Sequence, residues 1–223
     1  MESVKKTTPK KKLIDDAAII SKYIEIVLDK SEEPKNVFSF CKEAKITEAD
    51  FYTFFGSLEV IKHEIWIKFF INATTTIHND VAFESYSNKN KLLTLYFTLF
   101  EILTLNRSYV LFSLKENKEG MKNLKSLKGF RKQLKEFIVE IIETDSSVKN
   151  DKVAKVTQPV FAEGAWLQFL FLLKFWMDDT SKGFEKTDIL IEKSVNTVVD
   201  LLDTKPLESL FDLGKFLWKE KMN

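Results

Sequence analysis

Few side chains in this sequence have the types and spacing that bind metals or attack substrates. His63 and His78 are its two histidines, and Cys41 is its one cysteine. On one helix the histidines would lie about 22 Å apart, too far to hold a single metal ion. The apolar neighbours of Cys41 indicate a small buried residue and not a nucleophile. The sequence therefore predicts no metal site and no disulfide within the chain.

Sequence motifs for catalysis and cofactor binding do not occur either. No GxGxxG, P-loop or GxSxG pattern is found. The acids of Asp15/Asp16 and Asp178/Asp179 are adjacent in sequence, so on a helix they point in different directions and suit a solvated surface. We expect a protein that is not an enzyme, with no catalytic residue and no cofactor.

The composition favours long helices. Only 6 Gly and 4 Pro occur among 223 residues, and both residue types weaken helix interiors. Apolar residues recur at helical spacing, and no stretch alternates as a strand does. We predict an all-α protein with about nine helices. They cover residues 13–30, 37–44, 47–55, 58–83, 91–115 with a kink near Asn106, 124–143, 159–177 starting at Pro159, 187–202 and 207–221.

Charge is distributed unevenly, although the net charge is only +1. Residues 1–12 carry five lysines and one acid, and are predicted to form a disordered basic tail. Residues 13–66 carry six lysines and eleven acids. The N-terminal region after the tail is thus acidic.

The sequence favours a cytoplasmic location. No apolar signal segment follows the basic N-terminus, and a single cysteine fits a reducing compartment. The apolar stretch 165–177 is interrupted by Gln168 and Lys174, and it is expected to be too short to cross a membrane.

Residues 36–66 combine a short apolar helix, a turn, the segment Phe51-Tyr52-Thr53-Phe54-Phe55-Gly56-Ser57 and the start of a long helix. This arrangement resembles the helix-turn-helix of the TetR family. The matching positions are Ala44, Ile46, Thr47, Tyr52, Phe55, Ser57, Glu59 and Ile61. Thr47 is expected to cap the recognition helix, and the aromatic pair Tyr52 and Phe55 is expected to be buried.

Some positions depart from the family pattern. Lys45 stands where the family usually has a turn glycine, whose backbone conformation is unfavourable for other residues. Leu58 stands where the family usually has a lysine near the DNA phosphates. Glu48 and Asp50 begin the recognition helix, where a protein that binds phosphates needs basic or neutral side chains.

The resemblance implies a TetR-like fold with a domain division. Residues 13–56 would form a three-helix DNA-binding domain, and residues 57–223 a larger ligand-binding and dimerisation domain. It also implies a homodimer in which residues 159–178 and 186–203 of each chain form a four-helix bundle.

Two functions remain open from the sequence. The first is a transcriptional regulator that senses a small hydrophobic ligand and binds duplex DNA. Its candidate DNA contacts are Lys10, Lys11, Lys12, Lys45, Thr47, Tyr52 and Thr53. The second is a TetR-fold lipid- or isoprenoid-binding accessory protein that has lost DNA binding. Residues 207–221 would suit peripheral membrane contact in that case, or would dock on the protein itself.

A ligand cavity in the larger domain is implied by the same resemblance. Charged residues are sparse in the segments concerned, so a hydrophobic ligand is expected, although ordinary core packing is the alternative at every position. The candidate lining residues are Trp66, Phe69, Phe70, Phe97, Phe100, Leu103, Phe112, Trp166, Phe169 and Phe175, with Arg107 and Gln168 as polar contacts.

Overall fold

The structure is a computed structural model that describes residues 14–115, 124–143 and 151–202. These residues form nine α-helices and no strand, which confirms the all-α prediction. The basic tail 1–12 and the predicted helix 207–221 lie outside the described residues. The helices are α1 (Asp16–Lys30), α2 (Val37–Ala44), α3 (Glu48–Tyr52), α4 (Leu58–His78), α5 (Asn88–Leu105), α6 (Arg107–Lys115), α7 (Lys128–Glu143), α8 (Asp151–Asp178) and α9 (Glu185–Leu202).

The chain packs as two units that divide within α4. The first unit contains residues 14–65 and the described residues of 108–126, and the second contains residues 66–107 and the described residues from 127 onwards. These boundaries follow packing and differ from the predicted division after residue 56. The functional division therefore stays a prediction.

Several helix boundaries differ from the predicted ones. Helix α3 ends at Tyr52 and not near Phe55, and α4 ends at His78 and not near Phe83. After α4 the side chain of Asp80 accepts the backbone N–H of Ala82 at 3.0 Å, a local turn that competes with further helix. Pro159 does not start a helix but lies inside α8, which begins at Asp151.

Aromatic rings fill the interior of the second unit. Phe130 of α7 lies between Phe70 of α4 and Phe169 of α8, with ring centroids at 5.5 Å and 4.6 Å. Phe100 of α5 joins Phe169 to Trp176, at 6.1 Å and 6.2 Å. Each such contact adds to the stability gained by burial alone, so four helices share one continuous core.

The connection between α8 and α9 is built around Asp179. Its carboxylate accepts the backbone N–H and the hydroxyl of both Ser181 and Thr187, at 2.7–3.0 Å. Gly183 supplies the left-handed backbone that the turn needs, at φ 63°. The expectation of a solvated Asp178/Asp179 pair is wrong for Asp179, which is buried because these donors satisfy its charge.

Candidate functional site

The turn between α2 and α3 is the first element of the candidate DNA-binding head. Helix α2 ends in Lys45, which has the left-handed conformation φ 54°, ψ 45°. The backbone N–H groups of Lys45 and Ile46 both reach the carbonyl of Cys41. A lysine thus has the left-handed conformation at the position where a glycine would be unstrained.

Helix α3 is held at its start by a reciprocal cap. The Thr47 hydroxyl accepts the Asp50 backbone N–H at 3.0 Å, and the Asp50 carboxylate accepts the Thr47 backbone N–H at 3.1 Å. This confirms Thr47 as the N-cap and gives Asp50 a structural role. Lys45, Thr47, Tyr52 and Thr53 all have accessible side chains, so the four candidate contacts in the head face solvent at least in part.

The aromatic residues of α3 divide between core and surface. Phe51 is fully buried, with its ring 5.7 Å from Phe40 of α2, and Phe55 is buried beside it. Tyr52 is 53% exposed, so the expectation that Tyr52 is a core residue is wrong. Phe55 follows the end of α3, and its backbone N–H donates to the Phe51 carbonyl at 2.9 Å, which keeps the two rings on one side, whereas Tyr52 is turned about 100° from Phe51.

Some lysines of the candidate DNA-binding head (residues 13–56) and of the first turns of α4 form salt bridges with glutamates. Lys30 pairs with Glu43 at 2.6 Å, and Lys62 pairs with both Glu33 and Glu59 at 2.9 Å and 2.7 Å. Glu48 stays exposed at the start of α3. Two of the six lysines of residues 13–66 are thus paired with carboxylates, whereas Lys45, at the turn before α3, is exposed.

Cys41 is a core residue of the head. It is buried in α2, and burial raises the pKa of its thiol, with the carboxylates of Glu48 and Asp50 adding to this effect. A thiol of that kind is a poor nucleophile. Over the described ranges, no three His, Cys, Asp or Glu side chains gather as a metal site.

The predicted ligand-cavity residues lie in different environments. Most are buried in the aromatic core of the second unit; these are Trp66, Phe69, Phe70, Phe100, Leu103, Trp166 and Phe169. Phe97 and Phe175 are partly exposed, at 38% and 37%. Phe112 belongs to the first unit. Phe97 and Phe100 line a shallow cleft of about 290 Å³ that also touches Phe184. Their role in ligand binding stays a prediction.

Arg107 closes the C-terminal end of α8. Its guanidinium donates to the carbonyls of Trp176 at 2.9 Å, Met177 at 3.1 Å and Asp179 at 3.3 Å. The guanidinium also lies 4.4 Å from the Trp176 ring and 4.6 Å from the Phe184 ring. These contacts satisfy carbonyls that a helix end leaves without partners.

Gln168 belongs to a polar network inside the second unit. The buried Tyr96 hydroxyl contacts the Ala165 carbonyl at 3.0 Å and the Gln168 side-chain oxygen at 3.3 Å. The Gln168 amide donates to the Ser194 hydroxyl at 3.0 Å. Burial also raises the pKa of Tyr96. The network joins α5, α8 and α9 through their inner faces.

Helix α8 carries a row of exposed apolar side chains on its outer face. Val160, Leu167 and Phe171 are 52%, 64% and 56% exposed, and the partly exposed Phe175 continues the row. Ile189 of α9 is also half exposed. The spacing of four and seven residues aligns the α8 side chains along one stripe, and exposed stripes of this kind mark interaction surfaces.

The same helix matters for the question of membrane spans. In the described part of the chain, one segment, Gln158–Asp178, is long and apolar enough to cross a membrane. From the sequence, the apolar stretch was limited to residues 165–177 and expected to be too short for a membrane span. That expectation is wrong for the length, because the apolar helix also includes residues 158–164. Within the described residues 44% of this segment is buried, and one helix of this length and composition is weak evidence for a membrane span.

A groove between α7 and α8 was not predicted. It is an open surface groove of about 580 Å³, and the cations Lys128, Arg131, Lys132 and Lys135 form part of its lining. The signal in the sequence is the spacing of these four cations, which places them on one face of a helix. Their apolar partners Pro159 and Ala162 come from α8, and only the fold brings them near.

Comparison with known proteins adds a family match. The family described as tetracyclin repressor-like, C-terminal domain, matches residues 91–217, which is more than half of the chain. No curated protein matches the sequence. The match begins within α5 and continues past α9, and it does not include residues 36–66, whose resemblance to a helix-turn-helix rests on their own sequence.

Proposed function

The chain belongs to the TetR family of regulators, and from that premise we propose that it is a homodimeric transcriptional regulator that binds duplex DNA and responds to a hydrophobic ligand. The observation that carries the proposal is the geometry of the head. A capped α3 buries Phe51 and directs Thr47, Tyr52 and Thr53 to solvent. In a helix-turn-helix the exposed side chains of the second helix contact base edges in the major groove of DNA.

Binding to DNA is tested on the head itself. Fluorescence anisotropy with a mixed pool of labelled duplexes at low salt, followed by selection of bound sequences, measures affinity and preference. Tyr52→Ala/Thr53→Ala is expected to weaken binding to the selected sequence by about tenfold or more. Thr76→Ala, an exposed threonine of α4, is the matched control. Equal affinity of the head variant and the control for the selected duplex would refute this role of α3.

The basic tail is proposed to supply phosphate contacts that the acidic head lacks. The slope of log K against log[salt] is negative, and each phosphate that the protein no longer neutralises reduces its magnitude by about 0.9. Replacing Lys10, Lys11 and Lys12 with Ala is expected to reduce that magnitude by about 2 to 3 without changing the preferred sequence. An unchanged slope would show that the tail does not contact phosphates.

The homodimer is proposed to form through the exposed stripe of α8 together with α9. Leu167→Glu/Phe171→Glu places two carboxylates on the stripe and is expected to yield a folded monomer in sedimentation velocity. Val81→Glu changes an apolar residue that is 96% exposed in the α4–α5 connection, and it is the control. A double variant that stays dimeric would exclude this face as the interface.

A second candidate function is favoured by the exposed Glu48 and by the salt bridges that use Lys30 and Lys62. We also propose, as this alternative, a lipid- or isoprenoid-binding accessory protein that does not bind DNA. Native mass spectrometry of the purified protein separates the two functions. A co-purified lipid with no DNA binding at low salt supports the alternative, and salt-dependent, sequence-selective binding supports the regulator.

Cytoplasmic location and membrane contact through residues 207–221 also remain proposals. Flotation with vesicles of zwitterionic and anionic lipids tests the second. Loss of vesicle binding after replacing the apolar residues Phe211 and Trp218 with Ser is the expected result if this segment contacts a bilayer.

A further inference from the structure

The groove between α7 and α8 has two ends of opposite charge. Lys128, Arg131, Lys132 and Lys135 occupy the part of α7 nearest its N-terminus, and Glu136 and Glu140 follow them along the same face. The groove is open to solvent, and its volume of about 580 Å³ is large enough to hold part of a small amphiphilic molecule.

The cationic end has more positive charge than its carboxylate neutralises. Glu163 of α8 accepts hydrogen bonds from both Lys135 and Arg131, and these bonds lower the pKa of Glu163. One carboxylate therefore faces two cations. Lys132 lies 3.8 Å from Glu136 with both side chains mostly exposed, so that pair is weak in water. Lys128 adds a further exposed cation at the same end.

The floor of the groove is apolar. Val139 of α7 and Pro159 and Ala162 of α8 contribute to it, and Ala162 is buried. Arg131 lies 5.6 Å from the Trp166 ring, so this cation is held at the edge of the floor by a ring as well as by a carboxylate. A ligand in the groove would thus meet apolar surface next to fixed positive charge.

We propose that this groove binds an anionic amphiphile, with its aliphatic chain along the floor and its carboxylate at Lys128 and Lys132. A neutral lipid would not compensate the cations, and an inorganic anion would leave the apolar floor in water. Only a ligand with both parts matches the groove. The inference rests on the proposed ligand-responsive function, and it assigns that function a surface site outside the aromatic core. The experiments below measure binding of a ligand to the groove and do not measure release of DNA. A failure of the groove proposal can therefore be told apart from a failure of the proposed regulator function.

The binding test compares three probes with the same chain length and different head groups. Dodecanoate, dodecanol and dodecyltrimethylammonium, each below its micellar or solubility limit, are titrated into the full chain by calorimetry. Dodecanoate is expected to bind at least tenfold more tightly than the other two. Lys128→Ala/Lys132→Ala is expected to weaken dodecanoate binding by about tenfold, which equals about 1.4 kcal/mol. Lys182→Ala/Lys193→Ala removes two exposed lysines near and on α9, and it is the matched control.

The location is tested by photolabelling with a dodecanoate analogue that carries a diazirine on its chain. Labelled peptides are expected to contain residues 128–140 and 159–162. Labels confined to residues 66–70 or 97–103 would place the ligand in the aromatic core and overturn the proposal. Equal binding of dodecanol and dodecanoate, or an equal decrease of affinity in the two lysine variants, would overturn it as well.

Discussion

Asp179 gives the sharpest prediction for stability. Burial by itself would raise the pKa of its carboxyl, but the hydrogen bonds from Thr187 and Ser181 outweigh burial and lower the pKa from 3.8 to about 2. A depressed pKa contributes stability above the unfolded-state value, and this contribution is lost as pH falls through the folded-state value. The difference between these two pKa values corresponds to about 2 kcal/mol at pH 7.

The assay is urea unfolding of the wild type and Asp179→Asn between pH 7 and pH 3. At pH 7 the variant is expected to be less stable by about 2 kcal/mol or more, because an amide cannot accept hydrogen bonds from all four donors. At pH 3 roughly half of the wild-type advantage is expected to remain. Asp178→Asn is the matched control, since Asp178 is exposed and pairs only at the surface with Lys174.

Two results would refute this reasoning. A stability difference between wild type and Asp179→Asn that stays constant from pH 7 to pH 3 would mean that the carboxylate charge is not what stabilises the turn. An effect of equal size in Asp178→Asn would mean that the loss comes from removing a negative charge in general and not from the hydrogen bonds that Asp179 accepts.

The remaining predictions concern three positions and use urea unfolding at pH 7. Arg107→Lys is expected to cost about 2 kcal/mol, because an ammonium group lacks the planar fork that reaches three carbonyls while lying against two neighbouring rings. A change below about 0.5 kcal/mol would contradict this role. Gly129→Ala would place a Cβ 2.5 Å from the Ile67 Cδ1 and 2.8 Å from its Cγ1. The clash is expected to outweigh the gain of about 1 kcal/mol that alanine brings to a helix, leaving a net cost of about 1 kcal/mol that Gly129→Ala/Ile67→Val partly recovers. A single variant more stable than the wild type would contradict the close approach. Lys45→Gly is expected to stabilise the protein by about 1 kcal/mol by relieving the left-handed backbone, whereas Lys45→Ala is not; equal effects would contradict the strain.

Features that depend on local chemistry were predictable from the sequence. The bounds of α2, the cap at Thr47 and the break at Asn106 all follow from residues within one or two turns of the feature. Capping and hydrogen bonding to nearby backbone groups act over that range, so neighbouring residues carry enough information.

Other features depend on which surfaces meet in three dimensions. Periodicity alone did not distinguish Phe51 from Tyr52, because in a five-residue helix one position decides which ring faces α2. Pro159 is of a residue type frequent at the first position of a helix, but here α8 continues through it. Asp179 is buried because donors from two later positions converge on it, and that convergence exists only in the folded turn.

The candidate ligand contacts could not be predicted from the sequence for the same reason. Arg107 is a polar residue among apolar segments, which suggested a ligand contact, yet its guanidinium reaches three carbonyls about seventy residues away in sequence. The α7–α8 groove needs the packing of two helices against each other before its cations and its floor come together. The spacing of residues within one helix does not show which other helix will pack against it.

The hydrogen bonds of Gln168 have a mechanical consequence for α8. Because this side chain contacts Tyr96 on α5 and Ser194 on α9, a slide of α8 by one turn would displace it by about 5.4 Å and break both contacts. Buried polar groups would then have no partner, which is unfavourable. Motion of α8 along its own axis is therefore resisted. We expect α5, α8 and α9 to move together when α8 is displaced.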